Sequence, residues 1–210
     1  DLHREFEGPR GTGTLEVQSR VASAWWSLGR VEESIALHRE TIEAARAVLG
    51  PDARATLTMT NDLAVALAND GGRKEARELY EATLAAEERA LGPEDPDTLT
   101  TRGNLAILDR DEGRLELALA KQRELLELRR RLQGERHPET LDAMASVATA
   151  LSDLGRLSEA EAQMRSGLDI RRQVQAVVEA FASRAGRSAA TLIAAADAET
   201  MNAIFREMAV

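Results

Sequence analysis

Apolar and small residues return along this chain every three or four positions, and short glycine-bearing polar stretches interrupt them at even intervals. After Gly72, the residues Ala76, Leu79, Tyr80, Thr83, Leu84, Glu87 and Leu91 follow helical spacing, and most are apolar. A stripe with that period is the face of a helix packed against a neighbour. The interruptions keep one step. Gly29-Arg30, Gly71-Gly72, Gly113-Arg114 and Gly155-Arg156 place their first glycines 42 residues apart. The pairs Thr14-Leu15, Thr56-Leu57, Thr98-Leu99 and Thr140-Leu141 keep the same step. So do Val21-Ala22, Leu63-Ala64, Leu105-Ala106 and Val147-Ala148, and the glycines Gly8, Gly50, Gly92 and Gly134. Four independent features in one register define an internal repeat.

Each repeat predicts two helices. Helix A is expected to start near the Thr-Leu pair, where threonine can cap the first turn. It runs to the glycine about fourteen residues later, a left-handed stop. Helix B follows after about three residues and continues for about sixteen to eighteen. The joint Leu91-Gly92-Pro93-Glu94-Asp95-Pro96 ends a helix B, because residues before proline are pushed out of the helical region. Gln133-Gly134-Glu135-Arg136-His137-Pro138 has the same build. Small residues recur where two helices must approach: Ala22, Ala64, Ala106 and Ala148 on helix A, and Ser34, Ala76, Ala118 and Ala160 on helix B. A larger side chain there would cost about 1–3 kcal/mol.

The segments Ala90-Leu91-Gly92-Pro93-Glu94-Asp95-Pro96-Asp97-Thr98-Leu99, Gly103-Asn104-Leu105-Ala106 and Gly113-Arg114-Leu115-Glu116 resemble the 42-residue tetratricopeptide repeat of kinesin light chains and of many bacterial proteins. The resemblance covers roughly residues 8 to 173, as four repeats at 8–49, 50–91, 92–133 and 134–173. It implies an all-α, right-handed superhelical solenoid of antiparallel helix pairs, with helix A lining a concave groove. Residues 1–7 align one period before Glu43–Leu49 and read as the end of a preceding repeat helix, so the chain is expected to be part of a longer array. Residues 174–210 leave the register and read as a helical C-terminal extension or cap. Val174 to Ala185 would extend the last helix B, Ala185-Gly186-Arg187-Ser188 would form a turn, and a helix would follow from Ser188 to Met208. Its face of Ile193, Ala196, Thr200, Ile204 and Met208 would cover the last repeat. The sharper alternative is docking into a groove, as an autoinhibitor or as a homo-oligomer contact.

Carried over position by position, the groove receives Ser19, Arg20, Ser23 and Trp26 from the first repeat and Asn61, Asp62, Val65 and Asn69 from the second. The third gives Asn104, Ile107, Arg110 and Asp111, and the fourth Ser146, Thr149 and Asp153. Asparagine both donates and accepts, so it can bond the backbone of an extended peptide whatever its sequence. Asn104 matches the family's asparagine before Leu-Ala, whereas Arg20, Asp62 and Ser146 replace it elsewhere. No lysine falls in the groove, so a lysine-based carboxylate clamp is poorly matched, although Arg20 or Arg110 could take a carboxylate through two parallel bonds. The expected partner-binding residues are Arg20, Trp26, Asn61, Asp62, Asn69, Asn104, Arg110, Asp111 and Asp153. Trp25 is expected in the core and Trp26 on the groove side, as an anchor or as a shielded packing contact with a preceding repeat. Asp109 occupies the position held by Trp25, Leu67 and Leu151, and a local ion pair with Arg110 or Arg114 is expected there.

Composition narrows the chemistry. The chain carries a net charge of −9, with 43% hydrophobic and 3% aromatic residues, and no long basic run. That disfavours nucleic acid and anionic membrane surfaces as partners. Without cysteine there is no disulfide and no thiolate metal site. His3, His38 and His137 have no metal-ligand spacing, and no phosphate-binding loop follows a strand. Gly11-Thr12-Gly13-Thr14 lacks the lysine of such a loop and reads as a loosened joint. Carboxylates on helix B suit solvated faces with partners such as Glu127-Arg131. Two lysines among 27 basic residues suggest a GC-rich bacterial genome. With no stretch of about 18 apolar residues and no signal peptide, a cytoplasmic location is expected. The reading is therefore a non-enzymatic interaction module, without cofactor or metal, that binds a protein or peptide in its groove. The alternative is a regulatory or sensory arm of a larger bacterial signalling NTPase or transcriptional regulator.

Overall fold

The computed structural model describes the backbone of residues 11–184 and the side chains through residue 179. All regular structure among the described residues is α-helical. The helices are α1 (Thr12–Ser27), α2 (Val31–Leu49), α3 (Arg54–Asn69), α4 (Arg73–Ala90), α5 (Pro96–Asp111), α6 (Leu115–Gln133), α7 (Pro138–Asp153) and α8 (Leu157–Arg184). The chain forms two compact units, residues 1–117 and 118–210.

The 42-residue glycines end helix A as the sequence predicts, and the geometry gives the reason. Gly29, Gly71, Gly113 and Gly155 all have positive φ, between 72° and 91°. In the left-handed conformation, Gly29 N–H donates to Trp26 O at 2.9 Å and Arg30 N–H to Trp25 O at 2.9 Å. Both orphan carbonyls at the helix end are thereby satisfied. The same pair of bonds recurs at Gly113 and Arg114, donating to Arg110 O and Asp109 O.

The start of helix A differs from expectation. The threonines are not the caps. The caps are Gly11, Ala53, Asp95 and His137, each with extended backbone, and each Thr-Leu pair lies inside the first turn. Pro96 and Pro138 open their helices, where a missing N–H costs nothing. The side chains of Asp95 and His137 accept the backbone N–H of Asp97 and Glu139. The threonines are buried instead, and Thr98 Oγ1 donates to Gly92 O at 2.8 Å, tying the turn to the joint. Gly11-Thr12-Gly13-Thr14 is likewise not a loosened joint, because Gly11 caps α1 and the other three residues form its first turn.

In the first unit, α1 packs on α2, α3 on α4, α2 on α3 and α4 on α5. Its core joins Leu15, Ile42, Met59, Leu63, Leu67, Tyr80, Leu105 and Leu108. Ala22, Ala64 and Ala76 are fully buried, and Ser34 Oγ donates to Ala22 O at 2.7 Å, a distance that a larger residue at either position would not allow. In the second unit, α7 packs on α8, and Leu119, Leu126, Leu141, Met144, Val147 and Leu151 form the core. Each fully buried leucine removes enough apolar surface to contribute about 1.5–3 kcal/mol. Helix α8 continues to Arg184. Residues 1–7 and the expected turn and helix between Ala185 and Met208 lie outside the described residues. No helix among the described residues is long and apolar enough to cross a membrane.

Candidate functional site

Helix A buries one side against helix B and turns a polar side elsewhere. On α3, Leu57, Leu63, Ala64 and Leu67 are buried, while Asp62 and Val65 are half-buried and Asn69 is exposed. On α5, Leu99, Leu105 and Leu108 are buried, Asn104 and Arg110 are half-buried, and Ile107 and Asp111 are exposed. On α1, Arg20 is exposed and Trp26 is 37% exposed.

Two hydrogen bonds join successive A helices. Ser19 Oγ of α1 donates to Asp62 Oδ2 of α3 at 3.4 Å. Asn104 Nδ2 of α5 donates to Asn61 Oδ1 of α3 at 3.2 Å. Each joins a residue to the one lying one period plus one position further along, a separation of 43. Thr101 Oγ1 also donates to Asn61 Oδ1, at 3.3 Å. Behind it, the carboxyl of Glu87 is 1% exposed, with one oxygen buried and without a hydrogen-bond partner. Thr101 and Asn104 thus converge on Asn61 Oδ1 at the helix A face. Burial raises the Glu87 pKa, and Asp97 and Asp95 add to the rise, against Thr101 and Arg54.

Within the first unit the structure joins several of the expected site residues by hydrogen bonds. Asn61, Asp62 and Asn104 form the centre just described. Arg20 makes no ion pair among the described residues. Asn69 Nδ2 folds back onto Val65 O of its own helix at 2.8 Å. Arg110 holds its neighbour Asp111 at 2.8 Å. In the second unit Asp153 is exposed at the end of α7, and Ser146 and Thr149 bond carbonyls of their own helix.

Burial raises the Asp62 pKa, with the Ser19 hydroxyl opposing. Tyr80 of α4 is 2% exposed. Burial, and then the charge of Asp62, raises its phenol. His38, the α2 residue one period earlier, is buried and its pKa is lowered by that burial.

Three local expectations are revised. Trp25 is half-buried, not fully in the core, and the Arg30 guanidinium covers its ring at 4.5 Å. Asp109 is fully buried and does bond Arg114, at 2.6 Å, but its second cation is Arg77 of α4, at 2.8 Å. Glu112 completes that cluster, 2.9 Å from Arg77 and bonded to Arg114. Glu127 pairs with Arg130, one residue before the expected Arg131, at 2.7 Å. Arg77, Tyr80, Glu87 and Thr101 are residues that reasoning from sequence missed. The 43-residue separation of Ser19 from Asp62, and of Asn61 from Asn104, signals those two bonds and carries no mark of these four residues.

The tetratricopeptide repeat family matches residues 14–52, 56–129 and 104–173. Among solved structures, the chain is similar to a kinesin light chain-like protein of Podosopora anserina with nearly identical TPR-like repeats. That similarity has 20% identity and a TM-score of 0.66, over 94% of this chain and 97% of that one. It is similar to BtubC (BKLC) from P. vanneervenii at 17% identity and a TM-score of 0.66, over 76% of this chain and 64% of that one. It is also similar to Bacillus thuringiensis PlcR, solved in complex with the peptide PapR7 and DNA. There the identity is 20% and the TM-score 0.65, over 81% of this chain and 61% of that one. This chain therefore spans less than two thirds of the BtubC and PlcR chains. No curated protein matches the sequence. The structural likenesses show the fold, and the family matches cover most of the residues from 14 to 173. With its helix pairs, left-handed glycine stops and 42-residue register, the chain belongs to the tetratricopeptide repeat family.

Proposed function

We propose that this protein is an interaction module that holds a peptide or protein segment along the polar face of α1, α3 and α5. The observation that carries this reading is the hydrogen-bonded row across these helices, from Ser19 to Asp62 and from Asn61 to Asn104. It fixes polar side chains before any partner arrives, so less ordering entropy opposes association. Asn104 keeps its side-chain carbonyl for a backbone N–H, while Trp26 and Ile107 offer exposed apolar surface nearby on the same helices. The peptide in the PlcR complex is an analogy in the same direction, as is the protein-binding role common to this repeat family.

The test is capture of partners from a native lysate, followed by affinity measurement on any partner caught. Trp26→Ala and Asn104→Ala are expected to weaken binding at least about tenfold each, the ordinary effect of losing an interface anchor. Leu168→Ala, on the exposed side of α8, serves as the control and is expected to leave affinity unchanged. Partners retained equally by all three variants would mean that the binding surface lies elsewhere.

A further inference from the structure

We infer that Asp62 and the Tyr80 hydroxyl form a subsite for a cationic side chain, so that the segment bound in the groove carries a lysine or arginine at this point. The inference rests on the groove reading above and gives its ligand a chemistry. It starts from how this unit treats its other shielded carboxylates. Asp95 and Asp97 lie 2.6 and 2.5 Å from Arg54, and Asp109 and Glu112 lie 2.8 and 2.9 Å from Arg77. Glu87 also lacks a cation, but it is sealed in the core with one carboxyl oxygen unpartnered, where no ligand reaches it. Asp62 is the exception: half-buried and still reachable from solvent, with one long bond from Ser19 and no cation beside it among the described residues. Removing a carboxylate from water without a counter-ion is costly, so a partner's cation gains more here than at an open surface.

A second observation points to the same place. Tyr80 is almost wholly buried, its hydroxyl makes no hydrogen bond among the described residues, and the Asp62 charge acts on that hydroxyl. The phenol oxygen is not itself sealed from solvent, so it stays open to a donor from a ligand. An ammonium or guanidinium has several N–H donors and no acceptor, so it can bond the carboxylate and the phenol oxygen together. An anionic side chain would meet repulsion from Asp62, and an apolar one would leave both oxygens unsatisfied. The net charge of −9 favours the approach of the same kind of ligand.

The experiment selects a displayed library of random peptides of about nine residues, long enough to cross successive A helices, on the wild-type chain, on Asp62→Asn and on Asp169→Asn. Asp169 is exposed on α8 and controls for general loss of negative charge. Circular dichroism confirms that each variant keeps its helices. The expected result is enrichment of lysine or arginine at one position on the wild type and on Asp169→Asn, and its loss on Asp62→Asn. Synthetic peptides from the selected pool then carry norleucine in place of the basic residue. That change is expected to weaken binding about tenfold to the wild type and by less than about twofold to Asp62→Asn, the signature of a coupled pair. Tyr80→Phe is expected to reduce the preference part of the way. Peptides selected without a basic position, or with one that survives Asp62→Asn, overturn the subsite and leave the groove standing. A library that yields nothing above bare support overturns both.

Discussion

Asp109 stands where three equivalent positions hold Trp25, Leu67 and Leu151, and the fold accommodates it by supplying two guanidinia. Removing one side of a buried ion cluster leaves the other side uncompensated. Asp109→Ala is therefore expected to lower the unfolding free energy by about 3 kcal/mol, read as a fall in the urea midpoint. An unchanged midpoint would show that Arg77 and Arg114 are satisfied by Glu112 alone. Glu87 gives a pH prediction. Its folded-state pKa is raised, so the folded chain holds this proton more tightly than the unfolded one. Its stability contribution is full below the ordinary glutamate value and is lost as pH rises through the raised value. Glu87→Gln is expected to unfold at higher urea than the wild type at pH 7, with the advantage shrinking as pH falls through the raised value and gone below the ordinary one. An advantage that stays constant from pH 7 to acid would rule out Glu87 as its source.

At the scale of the element, the helix starts and stops set the register. Asp95 caps α5 through the Asp97 N–H and also receives Arg54 from α3. Arg54 is half exposed, so the cap is the larger contribution. Asp95→Ala is expected to cost about 1 kcal/mol, measured by thermal or urea unfolding. The Arg54 bond, with the Asp97 N–H, holds the Asp95 pKa down against its burial. The stabilisation is thus present above the ordinary aspartate value and is lost as pH falls through the depressed one. Wild type and Asp95→Ala should converge in acid, and divergence there would contradict the assignment. In the middle of α5, Ala106 is 1% exposed, and Ala106→Pro would break the helix at a cost of about 3 kcal/mol. Circular dichroism should show lost helicity at ordinary temperature, and a full native signal would contradict the packing described for α5.

At the scale of the whole molecule, charge and array matter more than any single contact. The net charge of −9 predicts that association with a basic peptide slows as salt rises from about 0.01 M to about 0.15 M, as screening shortens the reach of the field. Stopped-flow rates that do not change with salt would exclude electrostatic steering. The dissociation rate should respond less, because the Asp62 contact is partly shielded from ions.

The hairpin register was legible in the residues because it is a local matter. Gly29, Gly71, Gly113 and Gly155 stop helices through their own backbone freedom, and Ala22, Ala64 and Ala76 announce close helix contact by their size. The helix starts were misjudged by two or three residues, because the threonines that look like caps spend their hydroxyls on burial and on bonds such as Thr98 to Gly92. Register alone makes Asn61, Asp62 and Asn104 groove candidates, but the bonds from Ser19 to Asp62 and from Asn104 to Asn61 need the lateral offset between successive A helices. Arg77 escaped notice because it lies 32 residues from Asp109, on a helix B.

The sequence alone therefore determined the repeat, the helical class and the small residues at the helix contacts, since each rests on spacing along one chain. Only the tertiary structure decided which charges meet and which stay open. Arg77 reaches Asp109, Arg54 reaches Asp95, and no described cation reaches Asp62. Ion pairing depends on distances of a few ångströms between separate helices, and the linear order of residues does not contain those distances.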